Sequence, residues 1–534
     1  MSVEHVEARA GVYADSVTLM QVSAAVTKSA GVEAALIAMG SELNLGLLDG
    51  LGFPGPRGAG PNDLVVAIRA GDATSLAGAL AVLADALTAR PPASAGPSWR
   101  QNPRTVSAAA RAAGPGLALI SVPGQHAFTE AMDALEAGCD VMIFSDNVPV
   151  EQEVILKDRA AGAGLLVMGP DCGTAVVGGI GLGFSHTLAR GPVGLVAASG
   201  TGAQQILCLL DAADTGVSAV LGVGGRDLSA AVGGRSARGA LDALDDDPAT
   251  ELILVVSKPP APAVAAGLRA YSERLATPVR FAFTGLGEPD LTAATEEVLR
   301  ALGKPAPRWP RWTGPGRRSC PGALRGLFAG GTLCDEAMVI ASERLGPIRS
   351  NIPLRPEWRL SSEVLVGSGG PGGLTGSEGS GGSGGSGWRI GPEWPASSGR
   401  PEGLKDSEGL SGPDGGHTMI DFGDDELTAG RPHPMIDQSL RIERFAAEAR
   451  DPATGVILLD VVLGHGAHPD PAGQLAPAIA TAGDVPVVVS LIGARSDPQG
   501  RDGQASALRE AGAQVFASNA QAARFACDLI RSGS

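Results

Sequence analysis

Long apolar stretches, paired cysteines, clustered histidines and compensating basic stripes are all missing from this 534-residue chain. No run of about 18 apolar residues occurs, so no membrane span is expected. The opening MSVEHVEARAGVYADS has neither a basic n-region nor an apolar h-region, which argues against a signal peptide and for a cytoplasmic location. The formal net charge is −16, and without a basic stripe to offset it a nucleic-acid partner is not expected. Six cysteines (139, 172, 208, 320, 334 and 527) show no CxxC and no paired spacing, as reduced, mostly buried thiols would. Only His465 and His468 lie close together among seven histidines, and no cysteine or carboxylate cluster completes a ligand set, so no metal is expected.

What remains is a chain rich in glycine (77) and proline (39), 44% hydrophobic and only 4% aromatic, as loop-rich α/β units require. Its length suits three or four domains, each with its own core. Residues 1–90 alternate helix-like and strand-like pieces and read as a small α/β lobe. A proline-rich segment, 91–103, follows. Residues 104–190 then carry a βαβ rhythm that implies a parallel sheet covered by helices. A second unit of this kind spans 191–302. Residues 303–325 form a basic, proline-rich linker, and 326–366 open a third α/β unit through a Gly330-Gly331-Thr332 turn, read as structural. Residues 367–416 are low-complexity Gly/Ser sequence without enough apolar surface to fold. Residues 417–534 read as a further flavodoxin-like unit. The expected fold class is α/β, several flavodoxin- or Rossmann-like parallel-sheet domains.

The segment 191–234 carries the strongest chemical signal. A short apolar strand turns through Ser199-Gly200-Thr201-Gly202 into a helix with apolar residues at 206, 209, 210 and 213. Such a turn aims backbone N–H groups and a positive dipole end at one point, which suits phosphate. The plain alternative is an ordinary strand–helix turn with an N-cap Ser or Thr. After the next strand comes Gly224-Gly225-Arg226-Asp227, where Arg226 could clamp phosphate or carboxylate bidentately; a solvated turn with a capping Asp is the alternative. Ligands of open parallel sheets gather at the carboxyl ends of strands. That makes the turns holding Asn147 and Asp171-Cys172 candidate site loops. A second glycine loop, Gly464-His465-Gly466-Ala467-His468-Pro469-Asp470, opens another helix.

These motifs resemble a known family. Residues 110–300 resemble the α subunit of succinyl-CoA synthetase, through GPDC (169–172), SGT (199–201) and GVGG (222–225). Residues 417–530 resemble the carboxy-terminal domain of its β subunit, through IDFG (420–423), the strand at 456–463 with its glycine loop, and VPVVVSL (485–491). The whole set is similar to the FdrA family, through DSVTLM (15–20), SDN (145–147), GVGGRDLS (222–229), GDDE (423–426), GRPHPMID (430–437) and GHGAHPDP (464–471). Two departures stand out. The Gly-His-Ala-Gly phosphohistidine motif of the synthetase is replaced by FTGLGEPDL (283–291), and no segment matches an ATP-grasp domain. The glycine-rich start of a CoA-binding Rossmann domain is also missing before Leu117, which argues against CoA.

The resemblance implies a subunit of a heteromeric oxamate carbamoyltransferase, converting oxalurate and phosphate into oxamate and carbamoyl phosphate in allantoin breakdown. Companion transferase subunits and a functional link to carbamate kinase are the implied partners. No cofactor is required beyond phosphate or carbamoyl phosphate as substrate. The alternatives are an ADP-forming acyl-CoA ligase subunit and a non-catalytic phosphate-binding scaffold. In the synthetase two helices cradle the phosphoryl group; the matching pair here is expected to be Ser199–Gly202 and Gly464–Asp470. Phosphate is then assigned to Ser199, Gly200, Thr201, Gly202, Gly224, Gly225, Gly464 and Gly466. Catalysis is assigned to Arg226 with His465 or His468 as proton carrier. Asn147, Asp171, Cys172, Arg431 and His433 are assigned to substrate, with a structural loop the alternative for Arg431 and His433 and a structural thiol for Cys172.

Overall fold

The computed structural model describes residues 2–12, 14, 16–56, 58–88, 103–314, 321–360, 416–428 and 432–531. The Gly/Ser-rich stretch expected at 367–416 lies, but for Gly416, outside the described residues, as does all of 91–103 except Pro103.

Residues 3–88 form β1 (Val3–Arg9), α1 (Ser16–Thr27), β2 (Val32–Met39), α2 (Glu42–Gly50), β3 (Leu64–Ala70) and α3 (Ala73–Thr88). The sheet order is β1-β3-β2, with β3 antiparallel to both neighbours. This is a split βαβ arrangement. β3 is apolar on both faces because both are covered: Val22, Val26 and Leu83 pack on one, Leu48 and Phe53 on the other.

A small parallel sheet follows, built from β4 (Leu117–Ile120), β5 (Asp140–Ile143) and β6 (Val167–Met168) with α4 (Val106–Ala113), α5 (Gly124–Glu136) and α6 (Val150–Ala163). The hairpin β7 (Thr174–Val177) and β8 (Ile180–Gly183) leads into the next sheet. That sheet contains β9 (Arg190–Ala198), α7 (Gly200–Ala212), β10 (Val217–Gly222), α8 (Arg235–Asp245), β11 (Leu252–Ser257), α9 (Pro262–Ser272), β12 (Val279–Phe283) and α10 (Leu291–Ala301). Its order, β12-β11-β9-β10-β7-β8, puts a topological switch point between β9 and β11.

The last sheet revises the domain boundaries. Its elements are β13 (Arg311–Trp312), β14 (Ala323–Phe328), α11 (Gly331–Leu345), β15 (Ile348–Arg349), β16 (His417–Asp421), α12 (Ser439–Glu448), β17 (Thr454–Val462), α13 (Pro471–Ala480), β18 (Val487–Ile492), α14 (Arg501–Glu510), β19 (Gln514–Phe516) and α15 (Asn519–Arg531). The order is β13-β19-β18-β17-β14-β16-β15. β14 pairs in parallel with β16 on one side and β17 on the other. Residues 326–366 and 417–534, read as separate units from sequence, therefore share one sheet whose first strand lies before the low-complexity stretch. The linker read at 303–325 contributes β13, antiparallel to β19. β11 and β17 are buried along their whole length, as strands covered by helices on both faces must be.

The two large sheets are joined by polar contacts that fix their relative position. The Gln205 amide donates to the Ala517 carbonyl (3.0 Å) and accepts from the Asn519 N–H (2.8 Å). His186 Nδ1 lies 2.7 Å from Asp497 Oδ2, both side chains fully buried. Arg495 reaches the Asp211 carboxylate at 3.3 Å. Among the described residues no helix is long and apolar enough to cross a membrane.

Candidate functional site

The carboxyl ends of the two large sheets meet. Ala198 ends β9, and Ser199 caps α7 by accepting from the Gly202 N–H at 3.1 Å. Opposite, β14 runs through Ala329-Gly330 into α11, whose N-terminus has no side-chain cap. The two helix ends touch: Ser199 Oγ and Thr332 Oγ1 are 2.7 Å apart, and a methyl group on Gly330 would lie 2.9 Å from Thr201 Cγ2. The partner of the Ser199–Gly202 turn is thus Gly330-Gly331-Thr332, the turn read as structural, and not Gly464–Asp470. The N-terminus of α13 is already filled by its own carboxylate: Asp470 Oδ1 accepts from Gly473 N–H (3.0 Å) and from Gln504 (2.9 Å).

Asp460, the one charged side chain in apolar β17, explains how the Gly330 turn is held. Its two oxygens accept from the Ala329 and Gly330 N–H groups at 2.7 and 2.8 Å. Behind it the buried Arg441 lies 3.1 Å from Oδ1 and donates to the Leu327 carbonyl at 3.1 Å.

Three charged side chains complete the site. Lys258 follows β11 at the switch point and lies 3.7 Å from Asp335, just past the first turn of α11. Lys258 is 45% exposed, so the cleft is open to solvent. Asp335 holds the ammonium pKa above its ordinary value, while burial pushes Asp335 itself up. Asp421, the last residue of β16, is buried, and its pKa is pushed up to about 7, chiefly by that burial, with Lys258 opposing. Gly331 lies between them: a methyl group there would be 2.7 Å from Asp421 Oδ2 and 3.0 Å from Lys258 Nζ. Only glycine lets the α11 amides, the carboxyl and the ammonium converge. Lys258, Asp335 and Asp421 each sit near the end of a strand or the start of a helix; the sequence reading assigns none of them to the site, although Asp421 lies in the IDFG motif (420–423). The signal available was their position after an apolar run.

Several expected site residues lie elsewhere. Arg226 Nη2 is 2.9 Å from Glu153 Oε2 and donates to the Val148 carbonyl at 2.7 Å, so it braces α6 rather than facing Ser199. Beneath it the fully buried Lys157 joins Glu153 and Asp227, each at 2.7 Å. Gly224 and Gly225 lie against the Pro170 carbonyl and the Asp171 carboxylate. Gly464 and Gly466 pack on Ser185 and Phe184. His465 is exposed; its N–H donates to the Ser185 carbonyl (2.7 Å) and its Nε2 is 3.1 Å from Thr187 Oγ1. His468 Nδ1 accepts from the Asp470 N–H at 3.0 Å, and burial lowers its pKa. Among the described residues neither histidine hydrogen-bonds to the Ser199–Gly202 or Gly330–Thr332 turn. Burial pushes the Cys172 thiol up to about 12, and its Sγ donates to the Thr174 carbonyl, so this is a structural thiol. Asn147 and Asp171 both have positive φ and are exposed; Asp171 contributes to holding Lys258 charged. His433 does reach the cluster: a methyl on Gly423 would be 2.8 Å from its Nε2, and burial lowers its pKa to about 4, leaving it neutral. Arg431 lies outside the described residues.

An Arg226→Ala substitution is accordingly expected to leave affinity for inorganic phosphate within about twofold, measured by calorimetry. It is expected to cost about 1–3 kcal/mol of stability by leaving the buried Glu153 without that partner. A phosphate affinity that fell tenfold would return Arg226 to the site.

At the N-terminus of α5, where a Rossmann sheet takes a pyrophosphate, Gly124 packs against the loop after β5: a methyl group on it would collide with the Asp146 carbonyl oxygen.

The comparisons agree with this architecture. Residues 327–529 match the CoA-ligase family model, across both pieces that form the last sheet. Residues 1–103 match the model described as AllF, heavy metal-associated domain. This chain's residues 1–103 contain no cysteine and only one histidine, His5, so a thiolate ligand pair is lacking there. Fold and matches together define a CoA-ligase-like α/β protein carrying an AllF-like N-terminal domain. The chain belongs to the family of YahF of Escherichia coli (strain K12), an uncharacterized protein 34% identical over 551 residues, covering 98% of this chain and 97% of that one. The α subunit of ADP-forming succinate–CoA ligase from Aquifex aeolicus (strain VF5) is 28% identical over 160 residues, 29% of this chain and about half (51%) of that subunit. Among solved structures, PH0766 from Pyrococcus horikoshii OT3 covers 78% of this chain and 84% of its own at 13% identity and a TM-score of 0.26.

Proposed function

We propose that this protein is an FdrA-like, cytoplasmic subunit of a carbamoyl- or acyl-phosphate-handling transferase, with oxalurate and phosphate as its substrates and oxamate and carbamoyl phosphate as its products. The observation that carries this reading is the meeting of the α7 and α11 N-termini beside Lys258. Each helix end favours a phosphate dianion by about 1 kcal/mol in such a cleft, and the ammonium adds a mobile countercharge. The same dipoles oppose the charge that builds on oxygen when phosphate attacks a carbamoyl carbon.

One observation favours transfer without a phosphohistidine: the loop after β12, Thr284 to Asp290, contains no histidine. The reaction then needs companion subunits for the oxamate half of the site, and carbamate kinase as consumer of its product. An ADP-forming acyl-CoA ligase subunit is the second reading, favoured by the CoA-ligase match.

The test is to supply carbamoyl phosphate and oxamate to the protein with the subunits encoded beside it. Oxalurate and phosphate formed only when this chain is present is the expected result. ADP formed from ATP, CoA and a carboxylate, with no oxalurate, would overturn the transferase reading in favour of the ligase. In the productive assay Lys258→Ala is expected to raise the half-saturating carbamoyl phosphate concentration at least tenfold; an unchanged value would remove Lys258 from the phosphoryl group.

A further inference from the structure

We propose that Asp421 is the proton-carrying catalytic residue of this site, a role that rests on the transfer reaction above. The carboxyl is 5% exposed, and its backbone is clamped on both sides by one buried asparagine. The Asp421 N–H donates to Asn351 Oδ1 and the Asn351 amide donates to the Asp421 carbonyl, each at 2.9 Å. The Gly423 N–H donates to Oδ1 at 2.9 Å. Oδ2 takes no hydrogen bond from the described residues and points at the α11 amide end, where Gly331 leaves the space that a side chain would fill. A buried carboxyl with one oxygen fixed and the other aimed at an anion-binding helix terminus is placed to exchange a proton with what binds there.

The step balances as a relay. As a phosphate oxygen forms its bond to the carbamoyl carbon of oxalurate, the hydrogen on the phosphate passes to Oδ2. The tetrahedral adduct collapses, the C–N bond breaks with its electron pair going to nitrogen, and Oδ2 returns the proton to that nitrogen. Oxamate leaves as the neutral amide and carbamoyl phosphate remains. In the reverse direction the oxamate nitrogen gives the proton and the departing phosphate receives it. Both directions begin from the carboxylate.

The groups facing Asp421 are Lys258 after β11, Asp335 and Cys334 in α11, Asp424 in its own loop, and Arg441 of α12; His433 beside Gly423 is neutral. Of these Lys258 and Arg441 are cationic and favour the carboxylate, while Asp335 and Asp424 oppose it. Activity is therefore expected to fall on the acid side of an inflection near pH 7. Removing the Lys258 charge disfavours the carboxylate, so Lys258→Met is expected to move that inflection up by about one unit.

The experiment measures turnover of carbamoyl phosphate and oxamate by the assembled complex across about pH 5.5–9, on both sides of the inflection, for the wild type, Asp421→Asn, Asp421→Glu and Lys258→Met. Inorganic-phosphate affinity is measured on each. Asp421→Asn is expected to lose about 100-fold or more in turnover, to keep phosphate affinity, and to lose the acid limb; Asp421→Glu is expected to recover part of the rate with the limb restored. An active wild type alongside an equally active Asp421→Asn overturns the assignment alone. So does a Lys258→Met profile with the limb unmoved. A wild-type complex that turns over neither substrate overturns the transfer reading and this assignment with it. Should Asp421→Asn lose phosphate affinity through misfolding, the rate and pH limb of Asp421→Glu decide.

Discussion

Valine in place of Gly331 is expected to abolish phosphate binding and cut turnover by more than about 100-fold, equivalent to about 3 kcal/mol of lost transition-state stabilisation, while the protein still folds. The first added carbon would sit 2.7 Å from Asp421 Oδ2, closer than real contacts come, and a tight 3.0 Å from Lys258 Nζ. Lys258 is a long side chain at the cleft mouth and can swing away. Asp421 cannot, because Gly423 holds its other oxygen and Asn351 holds its backbone. The substituent therefore displaces whatever the α11 amides bind. Overpacking itself costs about 1–3 kcal/mol, so calorimetric phosphate binding must be read beside a melting curve. A Gly331→Val protein that is folded and binds phosphate normally would show that the α11 terminus is structural.

The second large effect falls on stability. Asp460→Ala is expected to cost about 3–5 kcal/mol, the range for removing one partner of a buried ion pair. It leaves the Arg441 guanidinium, 1% exposed, facing an apolar strand, and frees two amides of the Gly330 turn. Urea denaturation checks the value; a loss under about 1 kcal/mol would mean that Arg441 finds another partner. Because Asp460 also sets the path of Ala329-Gly330, phosphate affinity is expected to fall even where the variant is folded. Asp460→Asn, which keeps one acceptor oxygen, is expected to lie between.

Most of the architecture was legible in the sequence because parallel strands buried on both faces read as apolar runs, and helices between them read by their period. The runs at β9, β11, β17 and β18 are of this kind, and Ser199 is legible as a helix cap from its place between strand and helix. What failed were relations between distant segments. The N–H of Leu324 in β14 donates to His417, 93 residues on; nothing local announces that pairing, so the last sheet was read as two units. The error carried into the site. With β14 assigned to a separate unit, its Gly330 turn had no reason to face Ser199, and the histidine-bearing loop after β17 took its place. Arg226 misled for the same reason: its carboxylate partner, Glu153, lies on a different sheet's helix. Lys258, Asp335 and Asp421 come from three separate strand ends and helix starts, and only the topology brings them together.

The central claim is that the α7 and α11 N-termini hold one phosphate beside Lys258. The measurement that tests it most directly is a structure of the protein determined with inorganic phosphate bound. The account predicts the anion between Thr201 and Gly331-Thr332, within hydrogen-bond reach of Lys258 Nζ. Phosphate found instead at the Gly464–Asp470 loop or beside Arg226, with the α7–α11 junction empty, would contradict it.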